Sequence, residues 1–338
     1  KASLAGRDWS MWRYREWLPL EDNEEPVTLG EGMTPLLRAS RLEKALGVRA
    51  LWVKDESKNP TGSFKARGLS AAVTRARAAG ATSFTVPTAG NAGVALAAYG
   101  QRAGIPVRVY APRDTPATLL DQIRAFGAEL ILLDGHIGDC GAASRAHAAQ
   151  SGAFDMSTLR EPYRIEGKKT LGLELAEQLG WSLPGAIVYP AGGGTGLIGM
   201  WKAFGELKAA RWIEGPLPRL YCVQSTGCAP VVSAFDKGSD RTEAWPNPVT
   251  VASGLRVPAP LGGPLMLRAL RETQGTALSV TDEALTSAQQ EMAEREAVDA
   301  SPEGGATLAA LRDLLSCGAI RRDESIVLFN TGAGWLYR

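Results

Sequence analysis

One lysine, Lys65, stands where a Pro-Thr-Gly turn ends and a segment of helical composition begins, within residues 59–68 (NPTGSFKARG). A lysine at the start of a helix lies at the positive end of the helix dipole, which disfavours its protonated form. A neutral lysine amine is a nucleophile that condenses with carbonyl groups. Because a lone lysine in a first helical turn is more often a solvated residue, the chemical interpretation depends on partners elsewhere in the chain.

A glycine-rich loop at residues 191–196 (AGGGTG) follows an apolar strand and opens a helix. Such a loop presents several backbone N–H groups, together with the positive end of the helix dipole, to an anion. A structural turn alone rarely needs so many glycines. The pattern therefore predicts an anion site, and its residues are Gly192, Gly193, Gly194, Thr195 and Gly196.

The same loop also matches the dinucleotide fingerprint G-x-G-x-x-G from Gly194 to Gly199. That interpretation requires an acidic residue at the end of the next strand to hold a ribose. The strand ends at Gln224, and the next acidic residue is Asp236, which disfavours a dinucleotide. One phosphate on the loop, an aldehyde on Lys65 and a ring between them instead describe pyridoxal phosphate (PLP), a cofactor that brings its own electron sink.

Strands and helices of ten or more residues alternate along most of the chain. This alternation predicts an α/β fold of two open, twisted, mostly parallel sheets with helices on both faces. In such folds ligands gather where the carboxyl ends of strands meet the amino ends of helices. Loops occupy that position in the sequence at residues 59–65, 87–91, 191–196 and 330–334.

The composition favours a globular protein that acts on a small molecule. With 338 residues, 45% of them hydrophobic, and a net charge of +1, the chain gives no reason to expect nucleic acid or a membrane as partner. The aromatic and basic stretch Trp9–Leu18 is interpreted as a packing helix rather than a nucleic-acid surface. Scattered cysteines and only two histidines do not predict a metal site, and a reducing, cytoplasmic location is expected.

Taken together, ordered motifs along nearly the whole chain resemble those of one enzyme family. The motifs are WRYREWLP, GEGMTPLL, VKDESKNPTGSFKARG, TAGNAG, PYRIEGKKT, GGGTGL and the final NTGAG. The chain resembles the fold-type II PLP enzymes, the tryptophan synthase β family, and within it is most similar to the threonine synthases. The resemblance implies a homodimer whose active site lies in a cleft between a large domain (1–64 and 165–338) and a small domain (65–164).

The resemblance also implies a role for each residue that matches a family motif. Lys65 corresponds to the catalytic lysine that binds the cofactor aldehyde as a Schiff base and moves the proton at Cα. Asn91 corresponds to the donor to the phenolic oxygen, the 192–196 loop to the phosphate cup, and Thr331 to the partner of the pyridine nitrogen. The residues expected to bind substrate are Thr88, Ala89 and Gly90, at its carboxylate, and Arg164, at an anionic side chain.

Thr331 in that position has a chemical consequence. A neutral hydroxyl does not stabilise a pyridinium as a carboxylate does, so the ring nitrogen is expected to stay unprotonated. The cofactor is then a milder electron sink, which suits elimination and replacement at Cβ or Cγ better than transamination.

Two residues depart from the threonine synthase pattern. Ala66 stands where those enzymes usually have the aspartate of SFKDRG, as a small or apolar residue does in the dehydratases. Glu161 stands where they usually have the asparagine of Asn-Pro-x-Arg, and an inward-pointing Glu161 would repel a phosphate. A solvated loop charge, or a partner for Arg160 or Lys168, are the alternative interpretations of Glu161.

The sequence thus predicts a PLP-dependent lyase that acts on a small amino acid. The first hypothesis is threonine synthase, which converts O-phosphohomoserine and water to threonine and phosphate. The second is a threonine or serine dehydratase that gives a 2-oxo acid and ammonia. The third is a non-catalytic ligand-binding relative, against which the intact Lys65 argues.

Overall fold

A computed structural model of the protein describes residues 1–88 and 90–338. The described chain divides into two compact units. The first unit contains residues 1–33, 59–170 and 336–338, and the second contains residues 34–58 and 171–335. Residues 1–33 thus group with the segment that follows residue 59, whereas the sequence assigned them to the larger domain. The cleft between two domains stays a prediction.

The helices and strands of the two units follow the alternation expected from the sequence. In chain order they are β1 (Leu36–Arg38), α1 (Ser40–Leu46), β2 (Ala50–Asp55), α2 (Lys65–Ala78), β3 (Phe84–Pro87), α3 (Asn91–Ala103), β4 (Val107–Pro112), α4 (Ala117–Ala125), β5 (Glu129–Leu133), α5 (Ile137–Ser151), β6 (Phe154–Asp155), α6 (Tyr163–Gln178), β7 (Ala186–Pro190), α7 (Thr195–Ala209), β8 (Arg219–Ser225), α8 (Pro230–Asp236), α9 (Gly263–Glu272), β9 (Thr276–Val280), α10 (Asp282–Glu296), α11 (Pro302–Ser316) and β10 (Ser325–Asn330). Short 3-10 helices cover Ala2–Leu4, Met11–Trp17, Glu56–Lys58, Ser253–Leu255 and Gly334–Tyr337.

The first unit contains a parallel sheet in the order β5-β4-β3-β6. Parallel strands need a crossover connection, and here helices α3, α4 and α5 follow strands β3, β4 and β5 in the chain. The central strand β3 ends at Pro87 and leads through residue 88 and beyond to the start of α3 at Asn91. This arrangement places the amino end of α3 at the carboxyl edge of the sheet.

The second unit contains a larger sheet in the order β1-β2-β10-β7-β8-β9. Strand β1 runs antiparallel at one edge, and the other described strands pair in parallel. The last strand of the chain, β10, lies between β2 and β7, so the loops after β7 and β10 leave the same edge of the sheet. The prediction of an α/β fold with two mostly parallel sheets is confirmed. None of the described helices is long and apolar enough to cross a membrane.

A buried ion pair joins β2 to the second half of α6 inside the second unit. Lys54 and Glu174 are both 0% exposed and bonded to each other. The Lys54 ammonium also donates to the Thr34 carbonyl oxygen at 2.5 Å and to Gln178 Oε1 at 2.9 Å. A buried charge is tolerated when it is paired and fully hydrogen-bonded, as these contacts provide for Lys54.

Replacing Lys54 with methionine is expected to lower the free energy of unfolding by about 3–5 kcal/mol, because Glu174 loses its counter-charge inside the core. The matched control is Lys237→Met, which removes an exposed pair with Glu243 and should cost less than about 1 kcal/mol. Urea unfolding followed by circular dichroism measures both. Equal losses in the two variants would contradict the stabilising role assigned to the buried pair.

Candidate active site

Lys65 is the first residue of α2 and follows a tight turn in the first unit. In that turn the Gly62 N–H donates to the Asn59 carbonyl at 2.8 Å, and Gly62 has a φ of 69°, which favours glycine. The Lys65 side chain is half-buried, and its Nζ atom lies 4.0 Å from the centre of the Phe64 ring. The predicted position of Lys65 at the start of a helix is therefore observed.

Two hydroxyl groups precede Lys65, and both are buried. Ser63 and Thr61 are 0% and 2% exposed, and their hydroxyl oxygens have no hydrogen-bond partner among the described residues. Buried polar atoms in proteins are nearly always bonded, so unbonded hydroxyls beside Lys65 fit a site that receives a polar ligand. The sequence analysis did not include Ser63 and Thr61 among the site residues, although hydroxyl side chains within four residues of the candidate lysine could have indicated a polar ligand site.

Thr88 organises the loop that leads into α3. Its Oγ1 atom accepts the N–H of Gly90 at 3.0 Å and the N–H of Gly93 at 3.3 Å. Gly90 has a φ of 157°, and Ala89, predicted to bind the substrate carboxylate, lies outside the described residues. The Thr88 side chain thus holds the loop itself, and substrate binding by residues 88–90 stays a prediction.

Asn91, the first residue of α3, makes a contact that the sequence did not suggest. Its Nδ2 atom donates to the Tyr337 hydroxyl at 3.0 Å, whereas its Oδ1 atom has no partner among the described residues. An asparagine amide carries two N–H groups, so one remains to donate to a ligand oxygen. Tyr337 lies near the end of the chain, and no sequence pattern linked it to Asn91.

Arg164 lies at the start of α6 and is 2% exposed. Its Nη1 atom donates to the Met156 carbonyl at 2.7 Å, and its backbone N–H donates to Glu161 Oε2 at 2.9 Å. Burial lowers the pKa of Arg164, while Glu161 and Asp155 favour its charged form.

Lys168 lies one turn further along the helix, and its Nζ atom is 4.7 Å from the same Phe64 ring that Lys65 contacts. We call the group formed by Glu161, Arg164 and Lys168 the 161–168 cluster.

In the second unit, the glycine loop follows β7 and opens α7. The Ile198 N–H donates to the Gly194 carbonyl, so the amides of Thr195, Gly196 and Leu197 precede the first bonded turn of the helix. Amides in that position have no acceptor within the helix and are available to an anion. The loop therefore has the local geometry that the sequence predicted, and phosphate binding by its residues stays a prediction.

Close packing is a second reason for glycine in this loop. An added Cβ atom would lie 2.2 Å from the Gly254 carbonyl oxygen at Gly192, and 1.8 Å from the Tyr189 hydroxyl at Gly196. At Gly194, where φ is 75°, it would lie 2.1 Å from the Met266 sulfur. Because packing also requires these glycines, their number is weaker support for an anion site than the sequence suggested. The stronger support is the set of backbone amides at the start of α7.

Thr331 follows β10 and is 6% exposed. The residue before it, Asn330, donates to Asp55 Oδ1 at 2.8 Å and accepts the N–H of Ser301 at 3.1 Å. These bonds fix the backbone at the start of the Thr331 loop. Because β7 and β10 are parallel neighbours, Thr331 and the glycine loop lie at the same edge of the sheet. The contact of Thr331 with a ring nitrogen stays a prediction.

Each of the two units by itself carries groups that suit a part of PLP. The first unit provides a half-buried lysine amine beside unbonded buried hydroxyls, and an asparagine with one amide N–H left for a ligand oxygen. The second unit provides free helix-terminal amides for a phosphate and a neutral hydroxyl at the same sheet edge. An aldehyde, a phenol, a phosphate and a ring nitrogen are the groups that such partners recognise.

Comparisons with known proteins agree with this chemistry. A family model described as "Pyridoxal-phosphate dependent enzyme" matches residues 27–332. A threonine synthase of Methanosarcina acetivorans is 39% identical over 96% of this chain and 79% of its own length. A threonine synthase of Methanocaldococcus jannaschii is 36% identical over 98% of this chain and 82% of its own length.

Solved structures share the fold. A threonine deaminase from T.th. superposes with a TM-score of 0.75 at 27% identity, over 89% of this chain and 92% of that one. A fungal L-serine ammonia-lyase from Rhizomucor miehei gives a TM-score of 0.77 at 23% identity, over 91% and 95% of the two chains. The fold-type II architecture expected from the sequence is thereby confirmed.

Proposed function

The chain belongs to the family of pyridoxal-phosphate dependent enzymes, and we propose that within it the protein is a threonine synthase, which converts O-phosphohomoserine and water to threonine and phosphate. The observation that carries this proposal is similarity to threonine synthases over nearly the whole chain, together with a lysine at the start of α2. PLP is the cofactor, and the protein is a PLP-dependent lyase.

In this proposal four groups hold the cofactor. Lys65 binds the aldehyde carbon, the second amide hydrogen of Asn91 is donated to the phenolic oxygen, and the amides of residues 192–196 bind the phosphate. The Thr331 hydroxyl meets the ring nitrogen. When bound, PLP supplies an electron sink that acidifies the hydrogens on Cα and Cβ of the attached amino acid.

The remaining steps depend on the chain's own side chains. The Lys65 amine would accept the Cα proton, because it is the basic group held at that position. The loop at residues 88–90 orients the substrate carboxylate through its backbone amides. Arg164 binds the anionic side chain, and the neutral Thr331 keeps the ring nitrogen unprotonated, which favours elimination at Cγ over transamination.

A dehydratase is the alternative, and Ala66 was the residue that favoured it. Ala66 is 0% exposed in the first turn of α2. A buried position suits an apolar alanine in either kind of enzyme, so Ala66 does not decide between the two reactions. Two threonine synthases are 39% and 36% identical to this chain, so the dehydratase reaction is kept as an outcome of the test.

The test is to incubate the PLP-loaded enzyme separately with O-phosphohomoserine, threonine and serine. We expect equimolar phosphate and threonine from O-phosphohomoserine, with a turnover number of about 1–10³ per second. Phosphate is measured colorimetrically and threonine by chromatography. Formation of 2-oxo acids from threonine or serine, without phosphate release from O-phosphohomoserine, would replace the proposal by the dehydratase.

The proposal extends to a homodimer in the cytoplasm, which family resemblance alone supports. Light scattering of the purified holoenzyme measures the mass directly. A dimer is expected at twice the chain mass of 35.8 kDa.

A further inference from the structure

The 161–168 cluster concentrates charge in a buried place. Glu161, Arg164 and Lys168 are 6%, 2% and 0% exposed. Arg164 and Lys168 place two cations beside the Glu161 carboxyl group, and cations attract an anion. Glu161 is therefore not the solvated loop charge that the sequence alone had allowed.

Two atoms of the cluster have hydrogen-bonding capacity to spare. Glu161 Oε2 accepts the Arg164 backbone N–H, but Glu161 Oε1 has no partner among the described residues, and neither has Arg164 Nε. Both atoms are buried, so leaving them unbonded costs free energy unless a ligand fills the place. A phosphate monoester suits them, since its oxygens can accept from a guanidinium and share a proton with a carboxyl group.

The surroundings of Glu161 shift the pKa of its carboxyl group. Burial raises the pKa of the carboxyl group above its ordinary value. Arg164 and Lys168 and the backbone N–H groups of residues 163 and 164 act in the opposite direction without cancelling the effect of burial. Asp155 is the other acidic group that acts on this cluster, through Arg164. A protonated Glu161 donates a hydrogen bond to a phosphate oxygen instead of repelling it.

Lys168 connects this cluster to the catalytic lysine. The Nζ atoms of Lys168 and Lys65 both lie against the Phe64 ring. A Cβ atom added at Gly68 would lie 2.8 Å from Lys168 Nζ. Since residue 68 follows Lys65 by three positions, it lies on the same face of α2. The cluster thus lies beside the part of the first unit that carries the reacting amine.

We propose that Glu161 is a catalytic proton donor to the leaving phosphate, with Arg164 Nε holding that phosphate. This inference rests on the proposed threonine synthase reaction. In the step, the Cγ–O bond of O-phosphohomoserine breaks and its electron pair stays on the bridging oxygen. The Glu161 proton moves to that phosphate, so that the leaving group does not depart as a triply charged ion. Glu161 remains as a carboxylate and takes a proton from water after phosphate leaves.

The first experiment compares leaving groups in the Glu161→Gln enzyme. Glutamine keeps the shape but has no transferable proton, so kcat with O-phosphohomoserine should fall about 10²–10⁴-fold. With 2-amino-4-chlorobutanoate, whose chloride leaves without a proton, the variant should keep the wild-type rate. The Glu161→Asp enzyme, which retains the proton, should recover part of the loss. Equal losses with both substrates would overturn the proposal in favour of a structural role.

A matched control and a pH profile complete that experiment. Glu166→Gln removes a nearby carboxylate that is paired with Lys169 at 2.8 Å, and it should leave the ratio of the two substrate rates unchanged. Since the protonated carboxyl is the donor, wild-type kcat should fall as the pH rises through the pKa of Glu161. The Glu161→Gln enzyme should lack that fall, and an unchanged profile would contradict the proton-donor role.

Inorganic phosphate separates this proposal from the proposed function. Calorimetric titration of the PLP-loaded enzyme should show phosphate binding that strengthens as the pH falls, and Glu161→Gln should abolish this pH dependence. If the wild-type enzyme releases no phosphate from O-phosphohomoserine but shows this pattern, the proposed reaction fails while the anion-binding role of Glu161 stands. If phosphate binding is absent or indifferent to Glu161, the cluster is not a phosphate site.

Discussion

The Lys65→Ala enzyme is expected to hold no covalently attached PLP and to form threonine more than about a thousandfold more slowly than the wild type. In the proposed site, the Lys65 amine both attaches the cofactor and moves the Cα proton. General acid–base catalysis alone raises a reaction rate by about 10²–10⁴-fold, so the loss of both roles should have a larger effect. Reduction with borohydride followed by mass spectrometry of the peptides measures the attachment, and phosphate release measures turnover.

The control for that variant is Lys58→Ala, which removes another lysine from the same sequence motif. The Lys58 side chain is 61% exposed and contacts Asp55 at 3.8 Å, so its loss should leave both attachment and turnover near wild type. A Lys65→Ala enzyme that still carries PLP on a peptide after reduction would show that another lysine is the attachment point. In that case Lys168, which contacts the same Phe64 ring, is the first residue to examine.

The second large effect concerns the glycine loop, where Gly194→Asp and Gly194→Asn form a matched pair. Both side chains have the same size, both must adopt a φ of 75°, and both would displace Met266. Only aspartate brings a negative charge to the proposed phosphate site, where two unit charges about 4 Å apart repel by about 4 kcal/mol at an effective dielectric constant of about 20. We therefore expect PLP to bind at least about tenfold more weakly to Gly194→Asp than to Gly194→Asn.

The comparison between these two variants is the informative quantity. Each single substitution alone would weaken PLP binding through strain in the loop, whether or not phosphate binds there. Equilibrium dialysis of the apo-enzymes against PLP gives both dissociation constants. Equal dissociation constants for the aspartate and asparagine enzymes would mean that the phosphate lies elsewhere.

Most of the helices and strands could be predicted from the sequence because their signals are local. The loops expected at residues 87–91 and 191–196 are observed between β3 and α3 and between β7 and α7. Strand β9 was missed, because its residues, TALSV, are short and lie between segments of helical composition. Strand β9 is set by pairing with β8, a partner about fifty residues earlier in the chain, which no local pattern records.

The residues of the candidate site also fall into two groups, those that short sequence motifs identify and those that only the folded chain brings together. The sequence by itself determined the chemistry, since Lys65, the glycine loop and Thr331 each belong to short motifs that follow a strand or begin a helix. Only the tertiary structure brought Tyr337 to Asn91 and Lys168 to the Phe64 ring. It also buried Glu161, which the composition of a polar loop does not predict. A charge behaves as a repulsive group or as a proton donor according to its surroundings, and those surroundings exist only after the chain has folded.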